Sequence, residues 1–380
     1  MAFAFMNRRG AMLATGAILL SGCSIIPKTT APTEPTPTPE PSATTLPEDS
    51  DRHRIALLVP LSGDNGAVGQ SIANATTMAI LDTNADNIRI TTYDTARGAQ
   101  DAARMALADG NKLILGPLLG SNVGAIKPQA AAANVPVITF SNDTSVAGPG
   151  VFVMGHIPEQ SIERSVEYAR ANGARSFAVL APESEYGQRA EAAMQSAIAS
   201  YGGRLVGTER YARSNTSVVS AAGRLKSTGG FDSVLIADGG APSIRGAEAI
   251  AGSSWRIIGT ERWAGESALV RSRALDGAIF SAVSDGRYSG FVTSYEARFG
   301  GQPYRIATLG YDAVLLTLRV ARDWRIGRQF PTSVLLQEGG FDGVDGPFRF
   351  QRNGVVERAM EVREVRDGNI VTISNAPAGF

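Results

Sequence analysis

From residue 55 onward, short apolar runs alternate with stretches in which apolar residues recur at helical spacing. The first run, 55–60 (IALLVP), is followed by a loop of Gly, Asp and Asn and then by a helical pattern over 69–84. The alternation continues through predicted strands at 88–93, 112–116 and 136–140 and predicted helices at 98–109 and 121–133. Short apolar strands separated by helices predict a parallel sheet that is covered on both faces.

A second series with the same plan follows an apolar run at 151–155. Strands are predicted at 176–182, 204–211, 233–238, 256–260 and 277–283, and helices at 159–172, 185–201, 217–228, 287–299 and 305–325. The late segments FRF and ERAMEVREV alternate as an antiparallel ribbon does. We predict an α/β fold of two similar doubly wound parallel-sheet lobes joined by a multi-strand hinge. Lobe 1 is expected at 54–155 plus 282–330, and lobe 2 at 156–281 plus 331–380.

The N-terminus has a different character. Arg8 and Arg9 precede an apolar run that is too short to cross a bilayer, and Cys23, the only cysteine, follows Leu-Ser-Gly. This pattern resembles a bacterial lipobox, so residues 1–23 are interpreted as a lipoprotein signal peptide and Cys23 as the lipidation site. A buried structural cysteine is the alternative, and the proline-threonine tract that follows argues against it.

Residues 24–53 are rich in Pro and Thr and nearly free of apolar side chains, which predicts a disordered linker. Such segments favour extended polyproline II, so this linker could reach about 80 Å from its anchor. A tether of that length suits a body that works away from its membrane.

Composition argues against several classes of function. Lys plus Arg and Asp plus Glu balance at 36 each, which disfavours a nucleic-acid surface or a polybasic membrane surface, and no cluster of arginines stands out. The sequence contains no nucleophile elbow, P-loop or dinucleotide motif after a strand, and its two histidines have no zinc spacing. We therefore expect no catalytic residue, no cofactor and no metal. A hydrolase built on carboxylates near the strand ends is the alternative; its members would be Asp64, Asp94, Asp143, Asp238 and Glu261.

A ligand of an open α/β sheet lies beyond the carboxyl ends of the strands, where loops meet helix N-termini. Two such edges that face each other make a cleft. The loops expected to line it are 62–69, 116–122, 140–145, 182–188, 237–242 and 259–265.

From Ile55 to Val371 the chain resembles the type I periplasmic binding proteins of the leucine-binding kind. The resemblance is carried by LLVPLSGDNGAVGQ, GPLLGSN, PVITFSND, the Glu-Tyr-Gly after SFAVLAP, GTERW and LGYDAV. Within that superfamily, GPLLGSNVGAI and SFAVLAPESEYGQRAEAAM are more similar to the branch called penicillin-binding protein activators, which are lipoproteins of the outer membrane.

The resemblance implies a set of ligand-binding candidates. Hydroxyls and amides after the third and fourth strands would hold a carboxylate, and groups on the opposite lobe would hold an ammonium. By position the candidates are Ser121, Asn122, Ser141, Asn142, Tyr186 and Glu261. Helix capping by the serines, packing of Tyr186 over the hinge and a surface ion pair of Glu261 are the structural alternatives.

Two departures from the amino-acid binders affect this pocket. Asp143 stands near the position where binders offer a threonine hydroxyl, and its carboxylate would repel a ligand carboxylate. Gly239 and Gly240 replace an aromatic residue that binders often close over the ligand.

Two functions remain open. The first is a non-enzymatic periplasmic lipoprotein, with the outer membrane favoured over the inner, that engages a cell-wall synthase and regulates peptidoglycan synthesis. The alternative is the substrate-binding protein of an ABC importer for amino acids or related small polar solutes, whose partner is the ABC permease.

Overall fold

The computed structural model describes residues 51–213, 216–251 and 254–380. The predicted signal peptide, Cys23 and nearly all of the predicted linker lie outside these residues. The strands are β1 His53–Val59, β2 Ile88–Asp94, β3 Leu113–Leu115, β4 Val137–Thr139, β5 Val151–Val153, β6 Ser176–Pro182, β7 Arg204–Tyr211, β8 Ser233–Ile236, β9 Arg256–Ile258, β10 Ile279–Val283, β11 Phe341–Gly343, β12 Gly346–Phe350, β13 Val356–Arg358, β14 Met360–Arg366 and β15 Asn369–Ser374.

The helices match the predicted helical patterns closely. They are α1 Gly66–Thr83, α2 Ala99–Ala108, α3 Gly120–Ala132, α4 Pro158–Ala171, α5 Glu185–Tyr201, α6 Ser217–Thr228, α7 Gly240–Ile250, α8 Tyr288–Phe299 and α9 Thr308–Ala321. Within the described part of the chain, none of them is long and apolar enough to cross a membrane.

Lobe 1 is built on a parallel five-stranded sheet in the order β2-β1-β3-β4-β5. Alternate side chains of β1 point to opposite faces, as the two-residue period of a strand requires. Ile55 and Leu57 pack with α1 and α9, whereas Ala56 and Leu58 pack with α2 and α3. Both faces of the sheet are therefore buried under helices, which explains why its strands read as continuous apolar runs.

Lobe 2 repeats this plan with a seven-stranded sheet in the order β15-β14-β10-β9-β8-β6-β7. Strands β6 to β10 are mutually parallel, and β14 and β15 join as antiparallel strands at one edge. Ala178 and Leu180 face α6 and α7, and Phe177 and Val179 face α4 and α5. The predicted fold of two doubly wound lobes is confirmed.

The chain passes between the lobes three times: after β5, after β10 and between β13 and β14. The ribbon β11–β13 differs from the expected division, which placed all of 331–380 in lobe 2. Its alternating aromatics Phe348 and Phe350 share one face and complete the lobe 1 core, where Phe350 meets Phe152 edge-on at 5.5 Å. Alternation reveals a ribbon but does not say which lobe its apolar face covers.

The N-terminal boundary also differs by one residue from the expected linker. His53 begins β1, is 4% exposed, and stacks on Trp324 with 3.8 Å between ring centroids. His53 therefore lies at the end of lobe 1 that is farthest from the cleft, and β1 runs from there toward the cleft.

Candidate functional site

A cleft of about 660 Å³ lies between the two lobes at the carboxyl ends of their strands. The lobe 1 wall is mainly apolar and includes Val68, Leu118, Leu119, Phe140 and Ile306. The facing wall of lobe 2 is mainly polar and includes Glu261, Arg262, Gly265 and Glu266. Loops that were predicted to line a cleft because they follow strands therefore face each other across it.

The polar wall of lobe 2 depends on the first turn of α5. Ser184 caps this helix by accepting the N–H of Gly187 at 3.2 Å, which fixes Tyr186 in the turn. The Tyr186 hydroxyl lies 2.9 Å from Glu261 Oε1, to which it donates, and 2.9 Å from Thr260 Oγ1. The guanidinium of Arg262 covers the tyrosine ring at 4.7 Å from its centroid.

Burial raises the pKa of the Glu261 carboxyl to about 7. Its Oε1 accepts from Tyr186, but its buried Oε2 has no hydrogen-bond partner among the described residues. Burial, followed by the nearby Glu261 charge, also raises the pKa of Tyr186 well above its usual value. At neutral pH the tyrosine is thus a donor and Glu261 is close to its midpoint.

The candidates of lobe 1 are placed less favourably for a ligand. Ser121 is exposed in the first turn of α3, whose N-cap residue, Leu119, makes no side-chain cap. Asn122 is half-buried in the same turn. Ser141 is buried and accepts the N–H of Asp143 at 3.0 Å, so its hydroxyl stabilises the local turn.

Asp143 lies against the first residue of α3. A Cβ atom added to Gly120 would lie 2.6 Å from Asp143 Oδ2, so this carboxylate packs directly on the first residue of the helix. The other oxygen accepts the N–H of Ser145 at 2.9 Å. A carboxylate beside this helix N-terminus would repel the carboxylate of a ligand that bound there.

The floor of the cleft is a buried ionic cluster at the hinge. Arg305 donates to Asp345 at 2.6 Å and lies under the Tyr288 ring at 4.3 Å. The same Asp345 carboxylate lies 2.7 Å from His156 Nε2 and accepts from Thr308 at 3.0 Å. Burial alone would raise the Asp345 pKa, but Arg305 and His156 hold it well below its usual range.

This cluster joins segments that are far apart in the sequence. His156 belongs to the first crossover, Arg305 precedes α9, and Asp345 stands in the turn between β11 and β12. Arg305 Nε is buried without a hydrogen-bond partner among the described residues, and Arg305 also lines the cleft. The sequence patterns did not single out Arg305 or Asp345. The one signal was an acid in the turn between two strands of the ribbon.

Arg189 links the two lobes beside the cleft. Arg189 of α5 forms two 2.7 Å hydrogen bonds with the carboxylate of Glu159 and a third, also 2.7 Å, with the backbone carbonyl of Asn142 in lobe 1. Asn142 therefore contributes its carbonyl to the inter-lobe contact and also lines the cleft.

The six candidates thus fall into two groups. Asn142 and Glu261 line the cleft, and Tyr186 holds Glu261. Ser121, Asn122 and Ser141 are not among the residues described as lining it. Their role in ligand binding stays a prediction. The described residues also hold no group of three His, Cys, Asp or Glu side chains that could bind a metal ion.

The sequence of the chain is similar to those of known binding proteins. A family model described as "Periplasmic binding protein" matches residues 53–369. The penicillin-binding protein activator LpoA of Mannheimia succiniciproducens is 25% identical over 334 residues, which covers 85% of this chain and 55% of the relative. LpoA of Photobacterium profundum is 30% identical over 142 residues, covering 36% of this chain and 23% of the relative.

An uncharacterized protein of Rickettsia prowazekii is 30% identical over 159 residues, covering 41% of this chain and 43% of the relative. The chain spans about half the length, or less, of these curated relatives.

Solved structures show the same architecture. A putative branched-chain amino acid ABC transporter protein from Rhodospirillum rubrum matches with a TM-score of 0.75 at 20% identity, over 85% of this chain and 100% of the other. The leucine binding protein LivK from Thermotoga maritima matches with a TM-score of 0.66 at 20% identity, over 85% and 98% of the two chains. At this identity the likeness shows the fold.

Proposed function

Because this chain belongs to the periplasmic binding protein family, we propose that it acts by binding and not by catalysis, as an envelope regulator that engages a cell-wall synthase. The observation that carries the proposal is the state of the cleft. Asp143 lies against the first residue of α3, where its charge would repel a ligand carboxylate, and Tyr186 already donates to Glu261. The groups that would hold an amino acid are thus largely engaged by the chain itself.

The similarity to two LpoA proteins, whose names give them as penicillin-binding protein activators, supports the same function. The proposed anchor fits it as well. Acylation of Cys23 and a linker of about 80 Å would let the body reach a synthase while it stays on the outer membrane. A receptor that delivers its ligand to a permease has no evident need for such reach.

The anchor and the partner are tested separately. Cys23→Ser is expected to move the protein from the membrane fraction to the soluble periplasmic fraction, and Ser24→Ala is the matched control that keeps the membrane association. An unchanged distribution of Cys23→Ser would contradict the anchor.

For the partner, the tagged chain is used to capture proteins from detergent-solubilised envelopes of its own cells. We expect a penicillin-binding synthase to be retained, and we expect the purified chain to raise the rate of peptidoglycan synthesis by that enzyme. The R. rubrum protein, which shares the fold, is the control. Equal retention by both proteins, or no effect on synthesis, would contradict the proposal.

A second candidate is solute binding, and one observation favours it. Glu261 Oε2 is an unpartnered buried acceptor on a carboxylate that lines a 660 Å³ cleft, which suits an ammonium or another N–H donor. If a small amine or amino acid binds, saturation at about 100 times Kd stabilises the fold by about 2.7 kcal/mol. A thermal-shift screen of amino acids and small peptides measures this, with Glu261→Gln as the variant that should lose the shift. The absence of any shift would exclude the importer role.

A further inference from the structure

Lobe 1 has a basic end on the side opposite the cleft. Helix α9 begins beside Arg305 at the cleft and runs about 20 Å away from it before ending at Ala321. Its last turn and the segment that follows carry four exposed arginines, which we call the basic end: Arg319, Arg322, Arg325 and Arg328.

These arginines differ from most others in the molecule in having no acidic partner. Among residues 51–213, 216–251 and 254–380, none of the four forms an ion pair, whereas Arg189, Arg210 and Arg213 all do. Asp323 is the one acid in the stretch 319–328, which leaves three net positive charges in ten residues. Ile326 projects from the same stretch with 42% of its surface exposed.

The basic end packs against His53, the first residue of β1, which follows the predicted linker. Trp324, between the arginines, stacks on His53 and donates its Nε1–H to the carbonyl of Arg328 at 2.9 Å. It also packs edge-on against Phe330 at 5.1 Å. The arginines are thus displayed by a buried aromatic cluster on a fixed surface, immediately beside the first residue of β1.

We propose that the basic end docks on the anionic phospholipid headgroups of the membrane in which the chain is anchored. The proposal rests on the proposed anchor at Cys23. The linker leaves the body at His53, so this is the surface that meets the anchoring membrane without the linker having to wrap around a lobe. Arginine suits the partner because its guanidinium forms paired hydrogen bonds with phosphate oxygens, and Ile326 adds a small apolar contact.

Docking of this kind is weak by itself and becomes effective through the tether. A few basic residues attract an anionic surface only modestly, and salt screens the attraction. Because the anchored linker keeps the body close to the membrane, the effective concentration of lipid headgroups around the basic end is high. This favours the docked state without any new contact. The body then has two positions, docked with its cleft facing away from the membrane, or extended on the linker toward a partner.

The test uses the mature chain, from residue 23 onward, carrying Cys23→Ser, so that neither acylation nor the signal peptide contributes. Binding is measured by co-sedimentation with phosphatidylcholine vesicles that either contain or lack phosphatidylglycerol. We expect binding only when the anionic lipid is present, with loss of binding by about 0.5 M NaCl. Reversing two charges, Arg322→Glu with Arg325→Glu, is expected to weaken the partition at least tenfold.

The matched control is Arg271→Glu with Arg273→Glu. These two arginines are exposed near the start of β10 in lobe 2, and their reversal changes the net charge by the same amount. The control is expected to bind like the parent chain, and circular dichroism verifies that both variants are folded. Equal losses in both pairs, binding to pure phosphatidylcholine, or no binding of the parent chain to the phosphatidylglycerol vesicles would overturn the proposal.

Sodium phosphate at matched ionic strength should release the protein no better than NaCl. Stronger release by phosphate would instead indicate a pocket for free phosphate and would also overturn the proposal. Since the acyl group is removed in these experiments, their failure leaves the Cys23 anchor and the synthase partner to their own tests.

Discussion

Glu261 is the residue whose chemistry most affects the cleft. It is a buried carboxyl with one oxygen held by Tyr186 and the other without a partner among the described residues. Burial disfavours its charged form and raises its pKa to about 7. Between the ordinary carboxyl pKa and pH 7, the unfolded chain therefore loses a proton that the folded chain retains. The free energy of unfolding must fall over that interval, because folding then requires proton uptake.

We predict that Glu261→Gln raises the free energy of unfolding at pH 8 by about 1 to 3 kcal/mol, since glutamine keeps an acceptor for Tyr186 without the buried charge. The advantage should shrink as the pH falls through 7 and vanish below about 4.5. Urea unfolding at a series of pH values measures it. A difference that does not change with pH would rule out the buried charge as the cause.

At this scale the sequence was informative only where a residue lies in a recognisable motif. Tyr186 and Glu261 follow strands in Glu-Tyr-Gly and Gly-Thr-Glu, and they do meet. Arg305 and Asp345 are 40 positions apart, in a helix approach and a hairpin turn, and only the folded hinge brings them to 2.6 Å. Local patterns cannot predict such pairs because the contact depends on how three crossovers align.

At the scale of elements, the helix that follows the first strand begins in the same way in both lobes. Gly69 in α1 lies against the carbonyl of Pro60, and Gly187 in α5 lies against the carbonyl of Pro182. An added Cβ atom would come within 1.7 Å and 2.0 Å of these oxygens respectively. In each lobe a Pro at the end of the strand, or directly after it, is thus followed by a helix whose first turn needs a glycine for close approach.

We predict that Gly187→Ala lowers the free energy of unfolding by about 1 to 3 kcal/mol, because α5 must move away from the end of β6. The shift should also disturb the Tyr186 contact with Glu261. Gly223→Ala in α6 is the control: nothing lies within 4 Å of its added Cβ, so this change should stabilise by about 0.5 to 1 kcal/mol. Urea denaturation measures both, and a neutral Gly187→Ala would contradict the close packing.

The buried ionic cluster at the hinge leads to a second prediction at the scale of elements. The buried carboxylate of Asp345 compensates the guanidinium of Arg305. Asp345→Asn leaves this charge without its close partner and should cost about 3 to 5 kcal/mol. Asp342→Asn, three residues away, removes an exposed partner of Arg287 and should cost less than about 1 kcal/mol. Equal losses in urea denaturation would show that the buried cluster does not stabilise the hinge.

The ribbon β11–β13 also shows what the sequence patterns do not predict about the elements. The strands and helices of both lobes are readable because a buried parallel strand and an amphipathic helix each have a period that the sequence displays. The placement of β11–β13 on lobe 1 is not readable in this way. It follows from Phe348 and Phe350 finding a gap in the lobe 1 core next to Phe152, which is a property of packing between distant segments.

For the whole molecule, the position of the lobes depends on the hinge and on Arg189. This arginine holds Glu159 in its own lobe and the Asn142 carbonyl in the other lobe. Hydrogen bonds to a charged group contribute about 1.5 to 3 kcal/mol each. A single inter-lobe bond of that strength is enough to shift an equilibrium between open and closed clefts by roughly tenfold or more.

We predict that Arg189→Ala shifts the chain toward an open cleft, since the remaining side chain cannot reach the Asn142 carbonyl. Small-angle X-ray scattering should then give a larger radius of gyration than for the parent chain. Arg210→Ala is the matched control, because Arg210 binds Glu191 through two similar bonds of 2.8 and 2.7 Å that lie entirely within lobe 2. That variant should scatter like the parent. If Arg189→Ala also leaves the scattering unchanged, the lobes are held by the hinge alone, and the bridge beside the cleft does not control its opening.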